Sequence, residues 1–430
     1  MSFKNIYIIL LVTVFITSCN SREHQITKVE DYNSYLEVNE NTLISQTLED
    51  NNFWEEKLEK DTNQFPYNAK IAASQSQLFE LTGTIEHLIE AEKHLIKANK
   101  KTNYTNASYL RSLARNYISQ HRFLEALDLL EKAETNGEKL EATQKMLFDV
   151  HLELGNVKEA KQYLNTFIDH NDFDYLIRLA KWKDHEGDLA SAITYMEKAM
   201  ALAEYSKNDA LKQWSYTNLA DFYGHDGQIK KSYNYYLKAL KLNPQDAYAK
   251  KGIAWIVYSY ERNPEEALRI LNSITEYYNA PDYYLLKAEI AEYMNNVKEK
   301  DNNLMLYAFA TENKHYGAMY NKYNVLLLAE HPEQIQKAYE LALEEVKSRP
   351  TAQSYDLLAW ALYKKGDVKK ALNFMEFFVV GNTFEPLAMY HLAIIYKANG
   401  LNEKANDLKQ ELTASIYELG PLMEQDINQL

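Results

Sequence analysis

The chain has 430 residues, of which only 12 are Gly and 8 are Pro, while apolar residues make up 46% and charged residues 25%. Chains so poor in turn-forming residues rarely build many-stranded sheets, because hairpins and barrel corners need Gly, Asn or Pro. The composition also excludes a disordered chain and an integral membrane protein. The net charge of −14 argues against nucleic acid as a ligand, since domains that grip phosphate backbones normally carry a basic stripe.

The chain opens with a short apolar run, Ile6 to Ile16, which follows Lys4 and precedes Cys19, the only cysteine. A helix of that length rises only ~16 Å, too little to cross a bilayer, and the pattern is typical of a secretory signal. The string ITSC that ends at Cys19 resembles the lipobox of bacterial lipoproteins, which implies that Cys19 is lipidated. An ordinary signal peptide with a chance cysteine is the alternative. We therefore predict a lipoprotein signal peptide at 1–18, a tether at 19–28 and a lipid anchor in the cell envelope, in the outer membrane rather than the inner one.

A repeat unit is clearest between Trp214 and Pro244. Small residues at Ala220 and Ser232 allow two helices to approach closely, Gly227 is suited to end the first helix, and Pro244 ends the second. This spacing resembles the tetratricopeptide repeat, which consists of two antiparallel helices per unit.

The same pattern recurs along the chain. The small residue of the second helix appears at Ala91, Ala126, Ala160, Ala192, Ser232, Ala267, Ala338, Ala371 and Ala405. The intervals stay close to the ~34 residues of the resembled family. Two are longer: one of 40 residues predicts lengthened helices or a protruding loop, and one of 71 contains a degenerate unit near 283–315. We predict an all-α fold, an α-solenoid that forms a right-handed superhelix of about ten helix pairs, with a helical cap at 29–66, the solenoid at 67–420 and a tail at 421–430.

The sequence contains no motif that predicts catalysis or a cofactor. No Gly-rich phosphate-binding loop, H-E-x-x-H or G-x-S-x-G motif occurs, so we expect no enzyme activity, no cofactor and no metal. His87 and His94 share one predicted helix and are interpreted as residues of a solvated face. Asp221, His225 and Asp226 cluster at a helix end, where a cation site is the alternative to ordinary end-of-helix polarity.

The resemblance also implies where a partner would bind. In tetratricopeptide proteins the first helices of the units line a concave groove. The corresponding residues here are Arg111, Arg115, Lys145, Lys181, Asp221, Tyr248, Trp255, Tyr260, Trp360, Tyr363 and Tyr390. The first half of this groove is thus predicted to be polar and rich in basic residues, and the second half to be aromatic. Exposed tryptophans in such a groove would be typical binding hot spots, and the alternative is that these rings pack against the next repeat.

The whole pattern resembles the tetratricopeptide lipoproteins of bacterial envelopes. It implies a non-catalytic scaffold that binds a segment of a partner protein, extended or helical, during envelope assembly or transport. The alternative is a surface glycan-binding lipoprotein that feeds an outer-membrane importer. Nothing in the sequence identifies the partner.

Overall fold

The computed structural model describes residues 25–37 and 42–430, and over these ranges the chain is helical without a β-strand. The α-helices are, in chain order, α1 Val29–Leu36, α2 Thr42–Lys60, α3 Pro66–Thr82, α4 Ile85–Lys101, α5 Ala107–Ser119, α6 Phe123–Asn136, α7 Leu140–Glu153, α8 Val157–Leu164, α9 Phe173–His185, α10 Leu189–Tyr205, α11 Asp209–His225, α12 Ile229–Leu242, α13 Ala247–Trp255, α14 Pro264–Thr275, α15 Asp282–Tyr293, α16 Val297–Thr311, α17 Asn321–Ala329, α18 Ile335–Ser348, α19 Ala352–Lys364, α20 Val368–Phe374, α21 Pro386–Ala398, α22 Asn402–Ala414, α23 Ile416–Leu419 and α24 Glu424–Asn428. Turns of π-helix extend α13 and α20, at Ile256–Tyr260 and Met375–Val379. None of the described helices combines the length and apolar character that a membrane crossing requires. The predicted signal peptide and Cys19 lie outside the described residues.

The helices from α3 to α22 form ten consecutive pairs, which confirms the all-α solenoid predicted from the sequence. Each pair consists of a first helix with an odd label and a second helix with an even label. Gly227 follows the end of α11 with a φ of +72°, the left-handed conformation expected there.

Close contact within the pairs depends on the small residues of the second helices. All nine of these predicted positions are at most 1% exposed. In the degenerate unit, α15 and α16 pair like the others, and Asn303 occupies the position of the small residue with 0% exposure. The Asn303 side-chain amide nitrogen donates to the backbone oxygen of Glu299 at 2.8 Å, so this group is paired within its own helix, whereas the side-chain oxygen is buried without a hydrogen-bond partner.

The interval of 40 residues corresponds to two lengthened helices. Helices α10 and α11, which belong to the fourth and fifth pairs, each contain 17 residues, and only three residues separate them, so the additional residues lengthen these two helices rather than forming a loop.

Successive turns of the superhelix are in direct contact. Gly83, Gly155 and Gly187 lie in the turns within the first, third and fourth pairs, and each approaches backbone or ring atoms about 195 residues further along the chain. A Cβ on Gly155 would lie 2.8 Å from the backbone oxygen of Pro350, and one on Gly187 would lie 2.6 Å from the Phe384 ring. Each contact joins the turn within one pair to the loop between the fifth and sixth pairs after it, so one superhelical turn contains between five and six pairs.

The N-terminal residues divide between two locations. Helix α2 packs against α3 at the start of the solenoid, whereas α1 lies on α12 and α14, second helices of the fifth and sixth pairs. The Tyr32 hydroxyl donates to Glu266 at 2.6 Å, and the backbone amides of Ile26 and Thr27 donate to Glu261 at 2.7 and 2.6 Å. Residues assigned from the sequence to the tether and the cap are therefore attached to the middle of the solenoid. The domain boundaries themselves stay a prediction.

Candidate binding surface

All eleven predicted groove residues lie on first helices or on the π turn that extends α13. We call the surface formed by these first helices the inner face. The predicted residues differ in accessibility, because neighbouring pairs and the C-terminal end of the chain cover part of this face.

Two of the predicted basic residues are buried, which corrects the expectation that they face solvent in the groove. Arg111 is 9% exposed, and its guanidinium donates to the backbone oxygen of Glu138 and to the Thr143 hydroxyl at 2.9 and 3.0 Å. Lys145 is 8% exposed, and its ammonium lies 2.8 Å from the Asp172 carboxylate. The physical reason is that both cations have partners in the next first helix or just before it, so they join successive pairs.

Arg115 and Lys181 remain accessible on the inner face. Arg115 is exposed, and the Lys181 side chain is 43% exposed with its ammonium 2.9 Å from Glu153. Glu153 also lies 3.0 Å from Arg349 of the next superhelical turn. Burial opposes the charge on Glu153, but Lys181 and Arg349 outweigh it and lower the pKa of this carboxyl. Part of the predicted basic surface is thus neutralised within the chain.

Asp221 is the centre of a tyrosine network on the inner face. The hydroxyls of Tyr236 and Tyr248 both donate to its carboxylate, the latter at 2.7 Å. Burial raises the pKa of Asp221, although both hydrogen bonds favour the ionised form. His225 lies beside Glu418 instead of joining Asp226, and no cluster of three potential metal ligands occurs among the described residues. The arrangement offers a polar contact surface at Tyr248, which is 52% exposed.

Trp360 is buried at 6% exposure, so for this residue the alternative of packing against the next repeat is the one observed. Its ring stacks on His391 of α21 with centroids 4.1 Å apart, and both oxygens of Asp356 lie 2.9 Å from His391 Nδ1. Tyr363 and Tyr390, both partly buried, line a cavity of about 280 Å³ beside Trp360. The aromatic half of the predicted groove is therefore largely a packed cluster.

Trp255 and Tyr260 lie where the C-terminal end of the chain meets the inner face. The Trp255 indole N–H donates to the backbone oxygen of Tyr417 at 3.0 Å, and Tyr260 packs against the core of the fifth to seventh pairs. The sequence prediction missed Tyr417 and its neighbours because it ends the solenoid at residue 420 and assigns 421–430 to a tail without a binding role. The sequence feature that could have indicated this contact is the charge of residues 415–430, which contain three acidic side chains and no basic one.

The contact between superhelical turns forms a second concavity that no sequence pattern indicated. This cleft, of about 1160 Å³, separates α7–α9 from the segments around Pro350 and Phe384. Its wall carries the exposed rings of Phe377 and Phe384, which are 77% and 52% exposed, together with Lys158 and Lys161. The residues come from repeats that are far apart in the chain, so they meet only when the superhelix closes a turn.

His87 and His94 do not form a solvated face, which corrects the sequence interpretation. His94 is 7% exposed and lies 2.9 Å from Asn68, and His87 lies 2.7 Å from Gln75. Burial lowers the pKa of both imidazoles. They are packing residues between α3 and α4.

Comparison with known proteins agrees with this geometry. The family model described as tetratricopeptide repeat matches residues 215–246, which contain most of α11 and all of α12. The chain therefore contains a tetratricopeptide repeat at residues 215–246. Repeats of this kind stack into extended concave surfaces that bind other proteins.

Two solved structures are similar to this chain. One is a tetratricopeptide repeat protein from Parabacteroides merdae ATCC 43184, with 17% identity over 57% of this chain and 94% of that chain and a TM-score of 0.39. The other is a Rap protein complexed with competence and sporulation factor, with 17% identity over 73% of this chain and 97% of that chain and a TM-score of 0.45. No curated protein gives a significant match.

Proposed function

We propose that this tetratricopeptide-repeat protein is a non-catalytic scaffold of the bacterial envelope, anchored through a lipid on Cys19, that binds a segment of a partner protein on its inner face. The stacked repeats provide an extended surface on which a peptide can contact several first helices at once. Accessible polar and aromatic groups at Arg115, Lys181 and Tyr248 would orient that segment.

One observation carries this proposal: the inner face already holds a peptide segment, which belongs to the chain itself. The indole of Trp255 and the hydroxyl of Ser259 both donate to the backbone oxygen of Tyr417, at 3.0 and 2.7 Å. A surface that binds a main-chain carbonyl with two converging donors is suited to peptide recognition, because such contacts do not depend on one particular side chain.

Localisation in the cell envelope is a separate part of the proposal and rests on the lipobox-like string that ends at Cys19. Two or three acyl chains would give stable membrane attachment, whereas a single chain would not. Cys19→Ser should therefore release the chain from the membrane fraction. A chain that stays membrane-bound after this substitution would contradict the lipid anchor without affecting the binding function.

Binding on the inner face is tested by photo-crosslinking in cells of the native organism. A photoreactive phenylalanine analogue replaces Tyr248, and the matched control places it at Tyr205, which is 92% exposed but lies on the second helix α10. We expect a discrete crosslinked protein at position 248 and none at position 205. Equal products at both positions, or none at 248, would contradict partner binding on the inner face.

The glycan alternative is tested on the same surface by titration of the purified chain with oligosaccharides while tryptophan fluorescence is followed. A saturable change that Tyr248→Ala abolishes would favour glycan binding over a protein partner.

A further inference from the structure

The residues 415–430, which we call the tail segment, fold back onto the inner face instead of continuing the solenoid. They comprise α23, a 3₁₀ turn at Pro421–Met423 and α24. Helix α23 contacts α11 and the π turn after α13, the 3₁₀ turn contacts α15, and α24 packs on α22. The tail segment thus bridges the fifth to seventh pairs and the last pair.

Polar contacts hold the first part of the tail segment. Besides the two donors to the Tyr417 oxygen, the Glu418 carboxylate lies 2.5 Å from Nδ1 of His225. Desolvation disfavours the imidazolium, but Glu418 and the carboxylates of Asp221 and Asp184 outweigh it and raise the pKa of His225 to about 9. His225 is therefore a cation at neutral pH and forms an ion pair with the tail segment.

The rest of the tail segment, from Glu424 to Gln429, is also held by contacts with cations and hydrogen-bond donors. Glu424 lies 3.1 Å from the Arg262 guanidinium, and the Tyr390 hydroxyl donates to Asp426 at 3.5 Å. The Lys397 ammonium donates to the backbone oxygen of Gln429 at 2.6 Å. The tail segment has three acidic and no basic side chains, and each of the three carboxylates contacts a cation or a hydroxyl donor.

Apolar side chains complete the contact. Ile427 is fully buried, and Leu419 and Met423 pack against the core of the last pairs. Acidic groups alternate with these anchors, which is the pattern of a short recognition peptide that lies across a helical surface.

The fit of the tail segment is incomplete at three points. One carboxylate oxygen of Glu289 and one guanidinium nitrogen of Arg262 are buried without a hydrogen-bond partner. The cavity of about 280 Å³ between Trp360 and the residues Asp426, Gln429 and Leu430 is lined but not filled by the tail segment. Each unsatisfied buried polar group costs about 1–3 kcal/mol, so an occupant that supplies these contacts would bind more tightly than the tail segment does.

We propose that the tail segment is a built-in, displaceable occupant of the inner face, and that the partner segment which displaces it is an acidic peptide with interspersed apolar anchors. This inference rests on the proposed function and specifies the chemistry of the partner and the regulation of the same surface. When no partner is bound, the tail segment covers the surface between His225 and Tyr390. A competing acidic segment must displace it, so the apparent affinity is the intrinsic affinity multiplied by the fraction of chains whose tail segment is undocked.

The test uses the full chain and a fluorescent synthetic peptide with the sequence of residues 415–430. The chain variant Glu418→Gln/Glu424→Gln weakens the docked tail segment, and Glu403→Gln/Glu411→Gln is the matched control, since it makes the same charge change on exposed positions of α22. We expect the first variant to bind the peptide about tenfold more tightly than the wild type, and the control to bind it like the wild type.

A second measurement changes the peptide and needs no further variant of the protein. A peptide with both glutamates replaced by glutamine should bind the Glu418→Gln/Glu424→Gln chain at least about tenfold more weakly than the acidic peptide does. Equal affinity of the three chains for the acidic peptide, or equal affinity for the acidic and neutral peptides, would overturn the inference. Photo-crosslinking at Tyr248 is independent of these titrations, so a partner captured there while the peptide results fail would leave the proposed function intact and refute only the role of the tail segment.

Discussion

If successive superhelical turns are in contact, two glycines that occupy the same position in their repeats should differ in how much their replacement by alanine destabilises the chain. Gly155 and Gly227 each precede the small residue of a second helix by five positions, and their φ angles are +73° and +72°. A Cβ on Gly227 would meet no atom within 4 Å, whereas a Cβ on Gly155 would lie 2.8 Å from the backbone oxygen of Pro350 in the next turn. The substitution to alanine therefore isolates the contact between turns.

The magnitudes follow from the two costs. An alanine in the left-handed region costs about 1 kcal/mol at either position, and forcing an atom into a packed backbone contact costs a further ~1–3 kcal/mol at Gly155 alone. We expect Gly227→Ala to lower the free energy of unfolding by about 1 kcal/mol and Gly155→Ala to lower it by about 2–4 kcal/mol.

Urea unfolding followed by circular dichroism at 222 nm measures the difference, and small-angle X-ray scattering reports whether the turns separate. A larger radius of gyration for Gly155→Ala alone would be a second sign of the same clash. Equal losses for the two variants, with unchanged scattering, would refute the stacking of superhelical turns.

Three further changes probe the packing of the inner face and the two ends. Trp360→Ala should lower the free energy of unfolding by about 3–5 kcal/mol in the same urea assay, because it removes a buried ring. Trp214→Ala, at a residue that is 42% exposed, should lower it by only about 1 kcal/mol. Equal losses for the two variants would contradict the burial of Trp360. Burial raises the pKa of Glu289 from its usual 4.5 to about 7, so between these pH values the folded chain keeps the Glu289 proton that the unfolded chain has lost. The free energy of unfolding should therefore fall as pH rises from 4.5 to 7, by at most about 3 kcal/mol. Glu289→Gln should remove that part of the pH dependence of thermal unfolding, and an unchanged profile would refute the shift. Glu261→Gln weakens the acceptor of the amides near residue 27, so limited proteolysis in 25–37 should accelerate, and an unchanged cleavage rate would show that these bonds do not hold the segment.

The repeat architecture could be read from the sequence because each helix pair obeys local rules. Small residues such as Ala126 and Ala160 recur at a nearly constant interval, and their complete burial is what close helix packing requires. Even the degenerate unit retains the interval, with Asn303 at the expected position, although an asparagine gave no composition signal for it.

The accessibility of the inner face could not be predicted in the same way, because it depends on contacts between distant repeats. Lys145 and Arg111 were correctly placed on first helices, but their partners lie at the next unit and bury them. Trp360 is covered by His391, one repeat further on. The contact between Gly155 and Pro350 forms only because the superhelix completes a turn, and the spacing of residues within a repeat does not predict how many repeats a turn contains.

The tail segment shows a related limit of sequence reasoning. Gly420 has a φ of +83°, and a Cβ there would lie 2.6 Å from the Glu289 carboxylate, so this glycine is needed where the chain passes close to α15. The sequence predicts a break in the helix at this point, but not the direction in which the chain continues.

Locking the tail segment in place shows whether it occupies the surface that the partner needs. Tyr390→Cys and Asp426→Cys, made in a Cys19→Ser background that contains no other thiol, allow a cleavable bismaleimide to join the tail segment to α21 while the contacts at His225 and Trp255 stay intact. We expect the linked chain not to bind the fluorescent peptide of residues 415–430 and cleavage of the linker to restore binding. Binding of equal affinity before and after cleavage would contradict this expectation.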